Sequence, residues 1–298
     1  MSTPYGTPNT TLAHLARAAA VALPLAGAML AVSGCTHSDI AAASFFRQHR
    51  DIAVEITGEA PVLGAPVAVD IHNHMGSVIV EVDDRLDAPE ITASLIRSKE
   101  LGDADLPAED APETVTAAYE YSTDAGVPAS AAVLRINAGL TEGYPMGSSV
   151  ALRVRVPRCD GLEVSNNNGA IVILGTKGAV TAQSGGNTGV GGRIEFRTSH
   201  PLRDPVALVT TDGRVTAVIH PEGAARIELD TEQGQANFGS KYGSLTEVRP
   251  GLRSYRGTWN GGKNPFVARS GDGDITVFVK YDAEEYSTAD DWMALLHD

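Results

Sequence analysis

The sequence predicts an all-β protein whose main domain is a β-solenoid with coils of about 20 residues. The first observation is composition: hydrophobic residues make up 43% of the chain and aromatic residues 5%, and there are 31 glycines. Valine and isoleucine with frequent glycine and threonine are typical of short strands joined by tight turns. The second observation is a recurring phrase of strand, polar turn with glycine, and strand in the C-terminal half.

The recurring phrase has a nearly constant period. It is clearest in three segments, at 162–173, 206–219 and 266–279. The turn glycines of successive copies are separated by 23, 21 and 21 residues: Gly169, Gly192, Gly213 and Gly234. This period predicts stacked coils that share one core, because a single coil cannot bury its inward apolar row alone. The alternative is an antiparallel β-sandwich, in which these phrases are hairpins with Asx-Gly turns.

Strand signals also precede the repeats. Segment 51–56 alternates polar and apolar residues, and segments 67–73 and 78–82 follow across a glycine turn. The alternation resumes at 132–136 and 150–156. A period of two residues is the signal of a half-buried strand.

The first 34 residues predict a bacterial lipoprotein signal. An apolar run begins at Ala18 and closes with Val-Ser-Gly-Cys at 32–35, where small residues lead directly into a cysteine. The run is about 15 residues long, shorter than the roughly 20 that a membrane-crossing helix needs. We therefore expect cleavage before Cys35, acylation of its thiol with chains such as palmitate, and attachment to the cell envelope. Thr36 after the cysteine favours the outer membrane.

The remaining chain divides into a tether, a domain and a terminal helix. Residues 35–50 are expected to be a lipidated tether, and residues 51–282 the solenoid domain. Residues 99–124 hold eight acidic side chains and one lysine, which predicts a solvated insertion. A Ser-Thr pair followed three residues later by aspartate resembles a helix start. Residues 283–298 are thus predicted to form a C-terminal helical cap that hides the open strand edge of the last coil.

Net charge and cysteine content argue against several kinds of function. The net charge is −14, and removal of residues 1–34, which contain one arginine and no acid, leaves 22 basic against 37 acidic side chains, or −15. This acidic balance argues against nucleic-acid binding and against attraction to anionic lipids. With Cys35 lipidated, Cys159 has no partner in the chain. We expect it to be a lone, partly buried thiol at a turn rather than a nucleophile.

Two stretches resemble a known family. The first runs from Val-Arg-Val-Pro-Arg at 154–158 through Leu-Glu-Val-Ser at 162–165 to Asn-Gly-Ala-Ile at 168–171. It is similar to the strand, Pro-Arg, Leu-x-Val-x, turn and Gly pattern of the adhesin-like β-solenoid family of bacterial envelope proteins, a domain of unknown function. The second, at 269–275, resembles the Ser-Gly-Asp-Ile corner of that family.

The resemblance covers residues 52–280 and is interrupted by the acidic insertion. The chain departs from the family pattern at 166–170, where the usual acidic residue is missing, and around 257–262, where the last coil is lengthened. The resemblance implies an extracytoplasmic solenoid and supplies no catalytic residues to carry over.

Two histidines are a candidate for metal binding. His72 and His74 are two positions apart and therefore face the same side of a strand. Both imidazoles could reach one ion, with Asp83 or Asp84 as a third ligand. The segment adjoins a turn, where exposed polar residues are expected in any case, and we predict no metal site and no cofactor.

Two aspartates are a candidate for calcium binding. Asp272 and Asp274 flank Gly273 in a way that is similar to calcium-binding β-roll repeats. Those rolls need tandem repeats because successive turns share each ion, and here the phrase occurs once. Capping of turn amides is therefore the expected role of both carboxylates.

Two aromatic residues are a candidate for ligand binding. Tyr255 and Trp259 lie in a glycine-rich stretch near Arg253 and Arg256. If exposed, these aromatic side chains could bind a glycan or a protein. The alternative is that they fill a loop or close the end of the core.

These observations predict a non-catalytic protein, anchored by its lipid, whose adhesin-like solenoid is an interaction or scaffold surface. The sequence has no Gly-x-Ser-x-Gly elbow and no phosphate-cradling or Rossmann glycine motif. The alternative is a cell-surface, carbohydrate-active β-helix enzyme, which needs carboxylates that converge on one groove. Acidic residues of the repeats, such as Glu195, Glu228 and Asp230, are scattered along the sequence. A third possibility is a structural envelope component without a ligand.

Overall fold

The computed structural model describes residues 46–52, 54–62, 65, 67–99, 113–121, 132–140, 148–186 and 190–284. These ranges form strands and contain no helix, which confirms the all-β prediction. The strands are β1 Phe46–Ile52, β2 Ile56–Thr57, β3 Val67–Asn73, β4 Val78–Val82, β5 Glu90–Lys99, β6 Glu113–Tyr121, β7 Ala132–Leu140, β8 Ser148–Val156, β9 Cys159–Asn166, β10 Ile171–Leu174, β11 Ala179–Ser184, β12 Ile194–Thr198, β13 Val206–Thr210, β14 Val215–Ile219, β15 Ala225–Thr231, β16 Ala236–Gly239, β17 Leu245–Pro250, β18 Ser254–Trp259, β19 Pro265–Ser270 and β20 Ile275–Val279.

The strands belong to two mixed sheets. In the described residues, sheet I has nine strands in the order β1-β5-β8-β4-β10-β12-β14-β20-β16. Sheet II has eleven strands in the order β17-β18-β15-β19-β13-β11-β9-β3-β7-β6-β2. Each copy of the repeated phrase contributes one strand to each sheet, since β9, β11, β13 and β19 lie in sheet II and β10, β12, β14 and β20 in sheet I. The turn glycine of a phrase therefore joins the two sheets.

The repeats stack in parallel and in register. In sheet I, one inward row pairs Val78 with Ile171, Ile171 with Ile194, Ile194 with Val215, and Val215 with Ile275. Sheet II has a matching row in β9, β11, β13 and β19. Because side chains alternate along each strand, this register brings the apolar positions of all copies to one side.

The inward rows of both sheets form one core. The β-branched and leucine side chains of the two sheets belong to a single buried cluster. Phe196 of sheet I and Phe266 of sheet II meet inside it, with 6.5 Å between ring centroids. The core therefore depends on contacts between sheets that no single repeat supplies, and we expect the repeats to be stable only when stacked.

The stacking order departs from the chain order at two places. Strands β19 and β20 lie between the pair β13/β14 and the pair β15/β16, although they come last in the chain. The turn glycine Gly273 consequently separates Gly213 from Gly234, which the period of 21 residues does not reveal. Near the other end, β3 and β4 lie between β7/β8 and β9/β10. The final phrase reaches its place because the chain first runs through the antiparallel strands β17 and β18.

Antiparallel strands flank the parallel stack and correct two expectations. Residues 46–50 were expected in the tether, but they are part of β1, which pairs antiparallel with β5. Residues 99–124 were expected to be a solvated insertion, yet Glu113–Tyr121 form β6 against β7. The reason is that Val115, Ala117 and Tyr119 alternate within the acidic stretch and pack on the core.

The predicted terminal segments lie outside the described residues. This holds for the signal 1–34, for Cys35 and, apart from Ala283 and Glu284, for the C-terminal helical cap 283–298. Within the described ranges, no helix has the length and hydropathy required to cross a bilayer.

Candidate functional site

The turns that join sheet II to sheet I form a ladder of glycines. A Cβ atom at Gly169 would overlap the backbone of Gly76, and one at Gly192 would overlap the backbone of Gly169. The same relation holds between Gly213 and Gly192, and it continues through Gly273 to Gly234. Each of these corners therefore needs glycine because the next corner lies directly against it.

A buried side chain forms hydrogen bonds that join each corner to its neighbour. The Thr210 hydroxyl donates to the Gly192 carbonyl at 2.7 Å and accepts from the Gly213 N–H at 3.2 Å. Thr231 makes the same two contacts, with Gly273 at 2.9 Å and Gly234 at 3.0 Å. Each hydroxyl thus satisfies a backbone carbonyl of one repeat and a backbone amide of another.

These polar side chains were not among the residues predicted from the sequence, although they follow a simple pattern. A serine, threonine or asparagine comes three residues before five of the six corner glycines: Gly76, Gly169, Gly213, Gly234 and Gly273. At the first corners asparagines take this place, and Asn166 donates to the Gly76 carbonyl at 2.8 Å. The exception is Ser184, which lies eight residues before Gly192 and still accepts from its N–H at 2.8 Å.

Asp272 and Asp274 are exposed at this edge and contact the neighbouring coil. The Asp274 carboxylate accepts a hydrogen bond of 2.8 Å from the backbone N–H of Gln235, which belongs to the corner of Gly234 and not to its own turn. The Asp272 carboxylate accepts from the Gln233 side chain at 2.5 Å. Both carboxylates thus connect the corner of Gly273 to the corner of Gly234.

His72 and His74 project outward near the first corner but have separate partners. His72 Nε2 lies 3.1 Å from an oxygen of Asp70, and Asp70 also pairs with Arg135 at 3.0 Å. The ring of His74 contacts the Asn167 side chain at 3.0 Å. In the described residues, no group of three His, Cys, Asp or Glu side chains is arranged to hold a metal ion.

Tyr255 and Trp259 are buried, which corrects their interpretation as exposed binding residues. Tyr255 is 7% exposed and Trp259 is fully buried. Phe238 stacks on Tyr255 with 5.5 Å between centroids and meets Trp259 at 6.2 Å. The reason is that β18 pairs with β15 and turns both rings inward, where they close the end of the core. The alternative stated from the sequence, a core-closing role, is the correct one.

A charged cleft of about 630 Å³ lies at the opposite edge, where strands of sheet I return to sheet II. Its walls come from the turns after β4, β8, β10 and β12, so four separate phrases contribute to it. Its charged lining includes Asp83, Arg85, Arg158, Lys177, His200 and Glu284. Sequence reasoning did not find this cleft because these residues belong to distant turns that only the stacking brings together.

An ion-pair network forms one wall of the cleft. Asp83 has a side chain that is 4% exposed, and it accepts hydrogen bonds from Arg85 at 2.7 and 2.8 Å and from Arg155 at 2.5 Å. The hydrogen bonds from Arg85 hold the pKa of the Asp83 carboxyl far below its usual range. Arg155 also reaches Glu90 at 2.5 Å. The carboxylate of Asp83 is therefore ionised and fully engaged, which is unsuited to proton transfer at neutral pH.

Cys159 and His200 occupy the floor of the cleft. Cys159 is buried at the start of β9, deeper than the partly buried turn position expected for it, and its thiol donates to the Gly161 carbonyl at 3.2 Å. Burial raises the pKa of this thiol to about 11, so it is protonated at neutral pH. Burial, together with Lys177, lowers the pKa of His200, which favours its neutral form. The cleft thus offers hydrogen-bonding groups and charges of both signs but no activated nucleophile.

Comparisons with solved structures find neighbours of this chain, two of which are the following. No protein-family model and no curated protein matches the chain. The "putative cell adhesion protein" from Clostridium sporogenes ATCC 15579 is 10% identical and has a TM-score of 0.48, with 79% of this chain and 100% of that one covered. The "putative adhesin" from Bacteroides fragilis NCTC 9343 is 11% identical and has a TM-score of 0.28, with 80% and 99% covered. At these identities and scores, neither neighbour identifies the family or the function of this chain.

Proposed function

We propose that this chain is a lipid-anchored bacterial envelope protein whose adhesin-like β-solenoid is a non-catalytic interaction or scaffold surface. The observation that carries the proposal is the ladder of corners, in which Gly169, Gly192, Gly213 and Gly273 follow one another in direct contact. Such a ladder makes a rigid support, because each corner is tied to the next by backbone contacts and buried hydroxyls. A rigid support that presents surface turns is what a binding surface needs.

Parallel pairing supports a solenoid rather than an antiparallel sandwich. The strands on either side of Gly169 lie in different sheets, so this phrase is not a hairpin. Each strand pairs instead with the equivalent strand of the next phrase, as in β10 with β12 and β11 with β13. Antiparallel pairs are found in the first strands and in the β17–β18 hairpin. We interpret them as the ends of a solenoid.

The distribution of carboxylates supports a non-catalytic role over a carbohydrate-active enzyme. Glu195 lies on sheet I and pairs with Arg197. Glu228 and Asp230 lie on sheet II, and they pair with Arg226 at 3.3 Å and with Arg256 at 3.6 Å. A glycosidase needs two carboxyl groups on opposite sides of one bond, whereas these three carboxylates lie on two different sheets and pair with arginines. The acids that do share a groove are those of the charged cleft, and there Asp83 is engaged by Arg85 and Arg155.

The charged cleft is the part of the surface that we propose for partner binding. Its charges of both signs suit a polar protein segment or a glycan, because both present hydrogen-bond donors and acceptors together. Nucleic acid does not fit, because the chain carries a net charge of −14 and a polyanion needs a basic surface. No cofactor is part of this proposal.

The lipid anchor is tested by removing the cysteine. We expect Cys35→Ala to move the protein from the membrane fraction to the soluble fraction, because several acyl chains are needed for durable attachment and none would remain. Ser33→Ala is the matched control, since it changes a neighbouring small residue and keeps the thiol. A protein that stays in the membrane after loss of Cys35 would contradict the anchor. Separation of inner and outer membranes then tests the outer-membrane location.

The interaction surface is tested by capture from envelope extracts and on glycan arrays. We expect Lys177→Glu to reduce capture, because it reverses a charge in the cleft. Arg226→Glu is the control, since this residue is an exposed cation on β15 that does not line the cleft. If Lys177→Glu and Arg226→Glu were captured equally well, the partner would bind outside the charged cleft. Release of sugar from any polysaccharide on the array would favour the enzyme alternative.

A further inference from the structure

The outer face of sheet I carries apolar side chains that are buried although they point away from the core, and they lie on either side of β12, whose outward residues are a charged pair. Ile79 of β4 is 5% exposed, Val172 and Leu174 of β10 are 7% and 8% exposed, and Val218 of β14 is 4% exposed. Ile79, Val172 and Leu174 form a cluster separate from the core between the sheets. Strand β10 is therefore buried on both faces. We call these four residues the outer row.

The sequence of β10 agrees with this burial. A strand that faces solvent on one side alternates apolar and polar residues, whereas β10 reads Ile-Val-Ile-Leu without a break. Continuous apolar strands are typical of sheets that are covered on both faces. Farther along the same face, by contrast, Phe278 of β20 is 43% exposed, and on the outer face of sheet II Val209 is 36% exposed. The outer row is thus a place where a further segment packs.

The described chain ends beside this row. After β20, the N–H of Lys280 donates to the carbonyl of Ile219 at the end of β14. The Glu284 carboxylate then accepts from the N–H of Ser199, just after β12, at 2.6 Å. Its other oxygen lies against Gly175, which directly follows Leu174. The chain therefore crosses the ends of β14 and β12 and arrives next to the outer row at β10.

The remaining fourteen residues, 285–298, lie outside the described part of the chain and have the length and chemistry to cover the row. The sequence predicts a helix there, with Trp292, Met293, Leu295 and Leu296 on one apolar face. Fourteen helical residues span roughly 21 Å. The three strand spacings from β4 to β14 span about 14 Å.

We propose that the outer row is the docking site of the chain's own C-terminal segment, residues 285–298. This differs from a cap over the last coil, because the segment covers the face of sheet I instead of an open strand edge. Glu284 lines the charged cleft, so the docked segment begins at the rim of the cleft. This inference does not depend on the proposed function, and its tests use no ligand.

Tryptophan fluorescence tests the proposal in the purified full chain. Trp259 and Trp292 are the two tryptophans, so the difference between wild type and Trp292→Phe isolates the emission of Trp292. We expect this emission to be blue-shifted and protected from acrylamide. Val172→Asp should shift it to the red and raise its quenching constant several-fold. Val209→Asp is the matched control on sheet II and should leave Trp292 unchanged.

Two results would overturn the proposal. One is an emission wavelength of Trp292 in the wild-type chain that is typical of a tryptophan exposed to water. The other is a protection that weakens on dilution, since a second copy of the chain would then cover the outer row. Trp292→Asp serves as a second variant, because it alters the segment and leaves sheet I intact. We expect it to increase the binding of an apolar dye several-fold, and an unchanged dye signal would also contradict the docking.

Discussion

The hydroxyl of Ser270 donates a hydrogen bond of 2.8 Å to the carbonyl oxygen of Gly213, which belongs to the neighbouring corner. The same hydroxyl accepts from the N–H of Gly273 at 2.8 Å. One buried side chain therefore satisfies a backbone acceptor in one repeat and a backbone donor in another. Because buried polar groups are costly when unpaired, this arrangement links the stability of adjacent repeats.

Removal of this hydroxyl should destabilise the whole domain. We expect Ser270→Ala to lower the free energy of unfolding by about 1–3 kcal/mol, since it leaves one carbonyl and one amide unpaired. Ser244→Ala, at an exposed position, is the control and should change stability by less than about 0.5 kcal/mol. Urea denaturation followed by circular dichroism measures both. Equal effects of the two variants would show that the corner hydroxyl has no special role.

A methyl group in the glycine ladder should also destabilise the fold. Gly213→Ala places a Cβ against the backbone of Gly192, and we expect a loss of about 1–3 kcal/mol from this overpacking. At Gly139, by contrast, a Cβ meets no atom within 4 Å. Gly139→Ala should therefore be nearly neutral or slightly stabilising when both variants are measured by the same urea denaturation. A neutral Gly213→Ala would mean that the corners can separate without cost.

The ion pairs of Asp83 should make stability depend on pH. Its pKa in the folded protein is lowered by Arg85, so its contribution is fully present above the ordinary aspartate pKa of about 3.9. This contribution is lost as the pH falls through the lowered pKa of the folded state. We expect Asp83→Asn to be less stable than wild type at pH 7, with a difference that shrinks progressively below about pH 4.

Unfolding in urea at a series of pH values measures this difference. Asp84→Asn is the matched control, because Asp84 is the exposed neighbour of Asp83. It should leave the pH profile close to that of wild type. A gap between wild type and Asp83→Asn that stays constant down to low pH would contradict the assignment.

The thiol of Cys159 should be inert in the folded protein. In a Cys35→Ala chain it is the remaining cysteine, and its burial raises its pKa to about 11. We expect no alkylation by iodoacetamide at pH 8 in native buffer and rapid alkylation in urea, because the thiolate is scarce and shielded in the folded state. Mass spectrometry counts the modified chains. Fast native alkylation would show that the cleft exposes this sulfur.

At the corners, the glycines were predictable from the sequence and their hydrogen-bonding partners were not. Gly169, Gly192 and Gly213 were recognised from their period, because a glycine is required wherever two backbones touch. Their partner side chains, such as Thr210, were missed, since a threonine in a polar turn reads as a solvent-facing residue. The position of the partner three residues before the glycine is a usable signal for similar repeats.

The aromatic residues show where local reasoning leaves a choice open. Tyr255 and Trp259 stand among glycines and arginines, a context compatible both with exposed binding residues and with residues that close the core. Their burial follows from the pairing of β18 with β15, which turns both rings toward Phe238. Strand pairing is a long-range event, and the alternation within β18 alone does not say which face meets the core.

The sequence by itself determined the all-β class, the repeated phrase and the need for glycine at each turn, because these depend on residue type and spacing along a short stretch. Only the tertiary structure decided that the phrase ending at Val279 inserts between two earlier ones, that distant turns meet in a charged cleft, and that β10 is buried on both faces. The physical reason is that equivalent strands are interchangeable in their local pattern. Their order is chosen by the packing of the whole core.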